Sequence, residues 1–160
     1  MDVLVQCHFR PVECDLRILR SLTRRVVGQV LLDGVGEGAR ADAEVSVLYV
    51  DDAEMRELNE KYRGVSRSTN VLAFPMNEDP GPAIGPALLG DVVVSLETAK
   101  RQARETGCSW RHEIAVLLVH GVLHLLGQDH EGPPRNAAKT RAMRSAEARC
   151  LRELQSRMIV

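Results

Sequence analysis

The chain is poor in aromatic residues, with one Trp, two Tyr and two Phe among 160 residues. So sparse a set argues against a nucleic-acid platform built from rows of stacked rings. It also lacks an excess of charge of either sign. Lys and Arg number 21 against 22 Asp and Glu, a formal net charge of −1, so no overall basic footprint marks a nucleic-acid binder. No apolar run approaches the ~20 residues needed to cross a bilayer. The start, M-D-V-L-V-Q-C, has no basic segment leading into a long apolar one, so no secretory signal is read and a cytoplasmic protein without membrane contact is expected. The four cysteines, Cys7, Cys14, Cys108 and Cys150, are dispersed and form no C-x-x-C pair, which excludes a disulfide framework or a zinc ribbon. The glycines of the segment starting at Asp33, D-G-V-G-E-G, are not followed by G-K-S/T and do not make a phosphate-binding loop.

What is present suffices for one domain, residues 1–160, with a core that needs no staples. Charge is unevenly spread. Asp42, Glu44, Asp51, Asp52, Glu54, Glu57 and Glu60 make an acidic middle. Arg135, Lys139, Arg141, Arg144, Arg149, Arg152 and Arg157 make a basic C-terminal segment, readable as a solvated helix face or as a surface that meets RNA.

Periodicity predicts a strand over Val3–Phe9, stopped by Pro11, and a helix from an Asp15 cap to about Leu32 with Leu19, Leu22, Val26 and Val30 on its apolar side. Residues 33–38 read as a loop. A second strand follows over Ala43–Val50, then a short helix from Asp51 to about Tyr62, closed by Tyr62-Arg63-Gly64. A polar turn leads into a third strand that Pro75 ends. The Pro- and Gly-rich stretch from Met76 to Leu89 reads as a loop, and Leu89–Ser95 as a fourth strand. Ser95 and Ser109 are placed to cap two further helices, and a last amphipathic helix is expected over about Asn136–Leu154. Four strands and five helices imply an α/β or α+β single domain around one mixed sheet.

The most informative stretch is Arg111–Gly132, R-H-E-I-A-V-L-L-V-H-G-V-L-H-L-L-G-Q-D-H-E-G. Its near-continuous aliphatic run predicts a buried central helix. His120 and His124 are one helical turn apart on one face and can aim two imidazoles at one point. Gly127 can leave the helix through positive φ, so that His130 returns toward the pair as a third ligand. Three histidines leave a zinc-type ion an open position, the mark of a catalytic rather than a closed structural site. The spacing H-x-x-x-H-x-x-G-x-x-H is also that of metalloproteases, whose general base is a Glu directly after the first histidine. Gly121 stands there and cannot accept a proton, which weakens a peptidase reading.

Other residues carry open alternatives. Arg63 is either a solvated cap on a helix end or a guanidinium for phosphate. Glu113, seven residues before His120, is either a carboxylate supporting the histidines or an ordinary first-turn glutamate. Asp91 is a turn residue or a site residue, and His8 reads as a residue of the first strand.

His120-Gly-Val-Leu-His-Leu-Leu-Gly-Gln-Asp-His130 resembles the signature of the YbeY-type endoribonucleases, a family of rRNA maturation factors. Leu58-Asn-Glu-Lys-Tyr-Arg-Gly64, Thr69-Asn-Val-Leu-Ala-Phe-Pro75 and Leu89-Gly-Asp-Val-Val-Val-Ser95 are similar to the same family, and Met143 and Glu147 fit its pattern. The resemblance runs from about Ala43 to the end of the chain. It implies a zinc ion on His120, His124 and His130, with Arg63 and His120 as catalytic residues. It implies single-stranded RNA as substrate, a role in small-subunit rRNA 3′-end maturation and ribosome quality control, and contact with the small ribosomal subunit and its assembly factors. DNA is not an expected partner. Gln128 departs from the family's usual Tyr, and Ser66 and Ser68 replace a common Asp and Pro, which predicts a looser turn around Arg63. Two alternatives stand beside the nuclease: a ribosome-assembly factor with a structural metal, and a metallopeptidase-like hydrolase.

Overall fold

A computed structural model of the chain describes residues 2–8, 15–34, 43–76, 88–127 and 137–157. Strands β1 (Asp2–Cys7), β2 (Glu44–Val50) and β4 (Leu88–Ser95) run parallel, while β3 (Val71–Pro75) pairs antiparallel with β4. The order β1-β2-β4-β3 puts β3 at one edge. The helices among the described residues are α1 (Leu16–Gly34), α2 (Asp52–Arg63), α3 (Leu96–Thr106), α4 (Trp110–Leu125) and α5 (Ala137–Ser156). The fold is α+β around one mixed sheet, as the sequence predicts, and none of these helices is long and apolar enough to cross a membrane.

Alternation along the strands divides the core. Val45, Val47, Tyr49, Val92 and Val94 point to one face, where α1, α3, α4 and α5 supply the larger cluster. Val50, Leu72 and Val93 point to the other and pack with Met55 of α2. Within the larger cluster the one buried hydroxyl pair is satisfied. Thr23 Oγ1 donates to the Leu19 carbonyl at 2.7 Å and lies 2.7 Å from the Tyr49 hydroxyl.

Helix α4 starts where its cap predicts, with Ser109 Oγ accepting from the His112 N–H at 3.1 Å. It is apolar nearly all round, because the sheet lies beneath it and α1, α3 and α5 flank it. Gly121 faces the sheet at close range. A β-carbon there would lie 2.7 Å from Val92 Cγ1 and 3.4 Å from Val71 Cγ2. The position that carries the general base in metalloproteases is therefore a packing contact with no room for a side chain.

Several boundaries differ from the sequence reading. Helix α1 continues through Asp33 and Gly34, and Gln29 Nε2 donates to Asp33 Oδ2 at 2.8 Å one turn on. Strand β4 begins at Leu88. Strand β1 ends at Cys7, so His8 follows the strand, and its Nδ1 lies 2.6 Å from Glu54 Oε1. Phe9, Pro11, Cys14, residues 35–42, 77–87 and 128–136 fall outside the described residues. Cys108 and Cys150 are free thiols.

Candidate active-site cleft

The C-terminal turns of α4 carry His120 and His124, both half-buried. Their spacing of one turn brings Nε2 of one to 3.0 Å from Nε2 of the other, with ring centroids 4.6 Å apart and planes at 66°. His120 Nδ1 lies 2.5 Å from Glu147 Oε1 of α5. An ionised carboxylate only accepts hydrogen bonds, so Nδ1–H of His120 donates to it and Nε2 is left as the nitrogen facing His124. Glu147 is held there because α5 buries Met143, Ala146, Cys150 and Leu154 in the core that α4 shares. Of the two alternatives open for Glu113, the structure shows the ordinary first-turn glutamate. Glu113 lies in the first turn of α4, where it accepts a long hydrogen bond from Cys108 Sγ at 3.7 Å. Glu147 is 27 residues from His120, beyond the reach of helical periodicity, and only the family pattern marked it.

After His124 the chain leaves the helix as Gly127 predicts. Gly127 has φ 75° and its N–H donates to the His124 carbonyl at 3.0 Å. His130 lies outside the described residues, and among those described no three His, Cys, Asp or Glu form a metal-binding group. The pair itself fits two ligands of one ion. Nitrogens ~2.0–2.1 Å from a shared tetrahedral zinc stand about 3.3 Å apart, close to the 3.0 Å between the two Nε2 atoms. The carboxylate on His120 Nδ1 is the partner that metal-ligating imidazoles commonly have.

Facing the imidazoles is the end of α2. Its last residue, Arg63, is followed by Gly64 at φ 69°, whose N–H donates to the Glu60 carbonyl at 2.9 Å. The following turn is held by side chains. Buried Asn59 donates from Nδ2 to the Arg67 carbonyl at 2.8 Å. Ser66 Oγ donates to Glu60 Oε2 and Ser68 Oγ to Asp52 Oδ1, each at 3.1 Å. The two serines that predicted a looser turn thus anchor it. Asp52 is the hub, accepting also from Ser95 Oγ at 2.5 Å, Thr98 Oγ1 at 2.6 Å and Arg101 Nη1 at 3.0 Å. Burial works to raise its pKa, but the hydrogen bonds from Ser95, Thr98, Arg101 and Ser68 outweigh it and bring the carboxyl down to about 2. Asn70 completes the turn, its carbonyl accepting from the Ser95 N–H at 3.0 Å. Nothing in hydrophobic periodicity marks Asn59, Asp52 or Asn70, since each acts through a hydrogen bond to a distant segment.

The two walls enclose a cavity of about 200 Å³ whose lining includes Arg63, Asn70, Val71, Ala73, His120 and His124. Among the described residues its lining includes no carboxylate, and Arg63 and the imidazoles give this part of the wall an anion-accepting character. Asp91 is not one of them. It sits half-buried inside β4, in register with Ser46 and Phe74.

Paired imidazoles, one oriented by a carboxylate, thus face an arginine across one cleft of an α+β fold. Comparison with known proteins identifies the family. The family model described as Endoribonuclease YbeY matches residues 12–155. An endoribonuclease YbeY of Pelotomaculum thermopropionicum is 47% identical over 134 residues, covering 82% of this chain and 86% of that protein. One from Aquifex aeolicus is 46% identical over 120 residues, covering 72% and 78%. The chain belongs to the YbeY endoribonuclease family. The solution structure of TM1509 from Thermotoga maritima has the same fold, with a TM-score of 0.60 over 99% of this chain and 95% of that one at 23% identity.

Proposed function

We propose that the chain is a metal-dependent, single-strand-specific endoribonuclease acting in small-subunit rRNA 3′-end maturation and ribosome quality control. Its partners are then the small-subunit rRNA, the small ribosomal subunit and its assembly factors. One observation carries the reading: Arg63 lines the same cavity as His120 and His124, although Arg63 and His120 are 57 residues apart in the chain. The endoribonuclease names of relatives at 40–49% identity support the same chemistry.

Arg63 grips non-bridging oxygens of the scissile phosphate with two parallel hydrogen bonds, which a guanidinium offers and an ammonium does not. His120 and His124 hold one zinc ion through Nε2, with His130 as third ligand. A bound ion of this kind supplies Lewis acidity and makes water a stronger acid. Glu147 fixes the His120 ring and its tautomer, so that the ligand nitrogen points to the cleft without rotating. Val71 and Ala73 of β3 form an apolar floor that keeps the phosphate close to its charged partners. The peptidase alternative loses its general base to packing, since Gly121 is pressed against Val92 and Val71.

Arg63→Ala tests the assignment. It slows cleavage of single-stranded RNA by about 10²–10³-fold while leaving metal content unchanged; lost metal, or cleavage at the wild-type rate, would each remove Arg63 from its role.

A further inference from the structure

His120 borders two depressions. One is the cleft shared with Arg63. The other lies on the α5 side, a cavity of about 110 Å³ lined by His120, Thr140, Met143, Arg144 and Glu147. Residues 140, 143, 144 and 147 fall on one face of α5 in successive turns, which is why they gather at a single imidazole. Met143 is buried in the core, while Arg144 stands exposed. Among the described residues of this lining, Arg144 is the one Lys or Arg.

A nucleic-acid strand carries a phosphate at every nucleotide, so a strand seated with one phosphate at Arg63 and the imidazoles carries further phosphates past the walls on either side. We propose that Arg144, with the Thr140 hydroxyl, forms a second phosphate subsite on the α5 side of His120, holding a phosphate that neighbours the scissile one. This rests on the RNA reading above. Glu147 is the one carboxylate among the described residues of the lining. Its Oε1 is committed to His120 at 2.5 Å, and Arg144, three residues earlier on the same face, offsets it. A contact of this sort sets position along the strand and affinity; it does no chemistry. It also gives a use to the basic C-terminal segment at its point of contact with the site.

The test compares wild type, Arg144→Glu and Arg144→Lys as zinc-loaded protein. The substrates are a 12-nucleotide single-stranded RNA and a dinucleoside monophosphate, which has one phosphate only. For the 12-mer, Arg144→Glu raises KM about tenfold, the scale of one charge-assisted contact, with kcat within about twofold. Its kcat/KM falls less steeply with salt, by roughly 0.7 in the log–log slope, as one lost phosphate contact requires. Arg144→Lys stays near wild type, and the dinucleoside monophosphate is cleaved equally by all three. An unchanged KM for the 12-mer overturns the subsite. So does an equal loss on the one-phosphate substrate, because Arg144 would then act through Glu147 and His120. Binding of the 12-mer by fluorescence anisotropy separates this inference from the nuclease reading. Wild type that binds without cleaving, with Arg144→Glu binding about tenfold more weakly, keeps the subsite and removes the nuclease; wild type that does not bind removes both.

Discussion

The two walls of the cleft are built on opposite physical terms. The imidazole wall is the end of a helix buried among aliphatic side chains, and its histidines are aimed by packing. Gly121 lets α4 lie against Val92, and Met143 and Ala146 bring Glu147 to His120. The arginine wall is a turn whose residues 64–67 are all exposed. Its shape is set by hydrogen bonds from Asn59 to the Arg67 carbonyl, from Ser66 to Glu60 and from Ser68 to Asp52. One wall is rigid because apolar surface is buried, at ~1.5–3 kcal/mol for each fully buried aliphatic side chain. The other is held by a few polar contacts worth ~1 kcal/mol each. Damage to the packing of the first therefore appears as lost stability, and loss of the guanidinium that the second presents appears as lost rate.

The sharpest separation of rate from stability comes at Arg63 itself. Arg63→Ala lowers kcat by about 10²–10³-fold, the scale of one lost transition-state donor, while Tm is unchanged because the side chain is exposed. Thermal melting beside single-turnover cleavage checks both. Gly121→Ala does the reverse. Its methyl group must displace Val92, and overpacking of this kind costs about 2 kcal/mol, or roughly 5 °C in Tm. A variant as stable as wild type would show that the helix does not lie as close to the sheet as 2.7 Å implies.

These two positions also differ in how far the sequence revealed them. The imidazole wall could be read from residues alone, because H-x-x-x-H within an aliphatic run followed by Gly127 combines two local periodicities and a turn. The fold was legible for the same reason: strand alternation, Ser and Asp caps and Pro stops are all local. Arg63 stood among the alternatives until the family pattern raised it. What makes it a wall is Asn59 reaching Arg67, and Asp52 gathering Ser68, Ser95, Thr98 and Arg101 across 16 to 49 residues. Glu147 was obscured in the same way, by the 27 residues that separate it from His120. Such long-range polar contacts leave no period in the chain.

The Asp52 hub makes the arginine wall sensitive to acid. A carboxyl held at about 2 in the folded chain and near 4 when unfolded contributes stability that is fully present above pH ~4 and lost as pH falls toward 2. The contribution is about 2 kcal/mol. Asp52→Asn removes that amount at neutral pH and flattens the acid limb of stability between pH 4 and 2, measurable by urea unfolding at several pH values. An unchanged acid limb would mean that the four donors do not engage the carboxylate in solution. The smallest effect is expected at Asn59. Asn59→Ala costs about 1 kcal/mol for the lost hydrogen bond to Arg67, and kcat falls about tenfold as the turn carrying Arg63 loosens. A loss of stability without a change in rate would uncouple that bond from the placement of Arg63.

The central claim is that the paired imidazoles hold a metal used to cut RNA, and one experiment addresses it directly. Cleavage of a single-stranded RNA spanning the small-subunit rRNA 3′ end is measured for the isolated, chelator-stripped and zinc-restored protein. His124→Ala is measured beside them, with metal content assayed in each sample. The account predicts that cleavage disappears with the metal, returns with zinc, and is absent together with the metal in His124→Ala. Zinc-loaded protein that leaves the RNA intact while binding small subunits would contradict it and make the three histidines the structural metal site of an assembly factor.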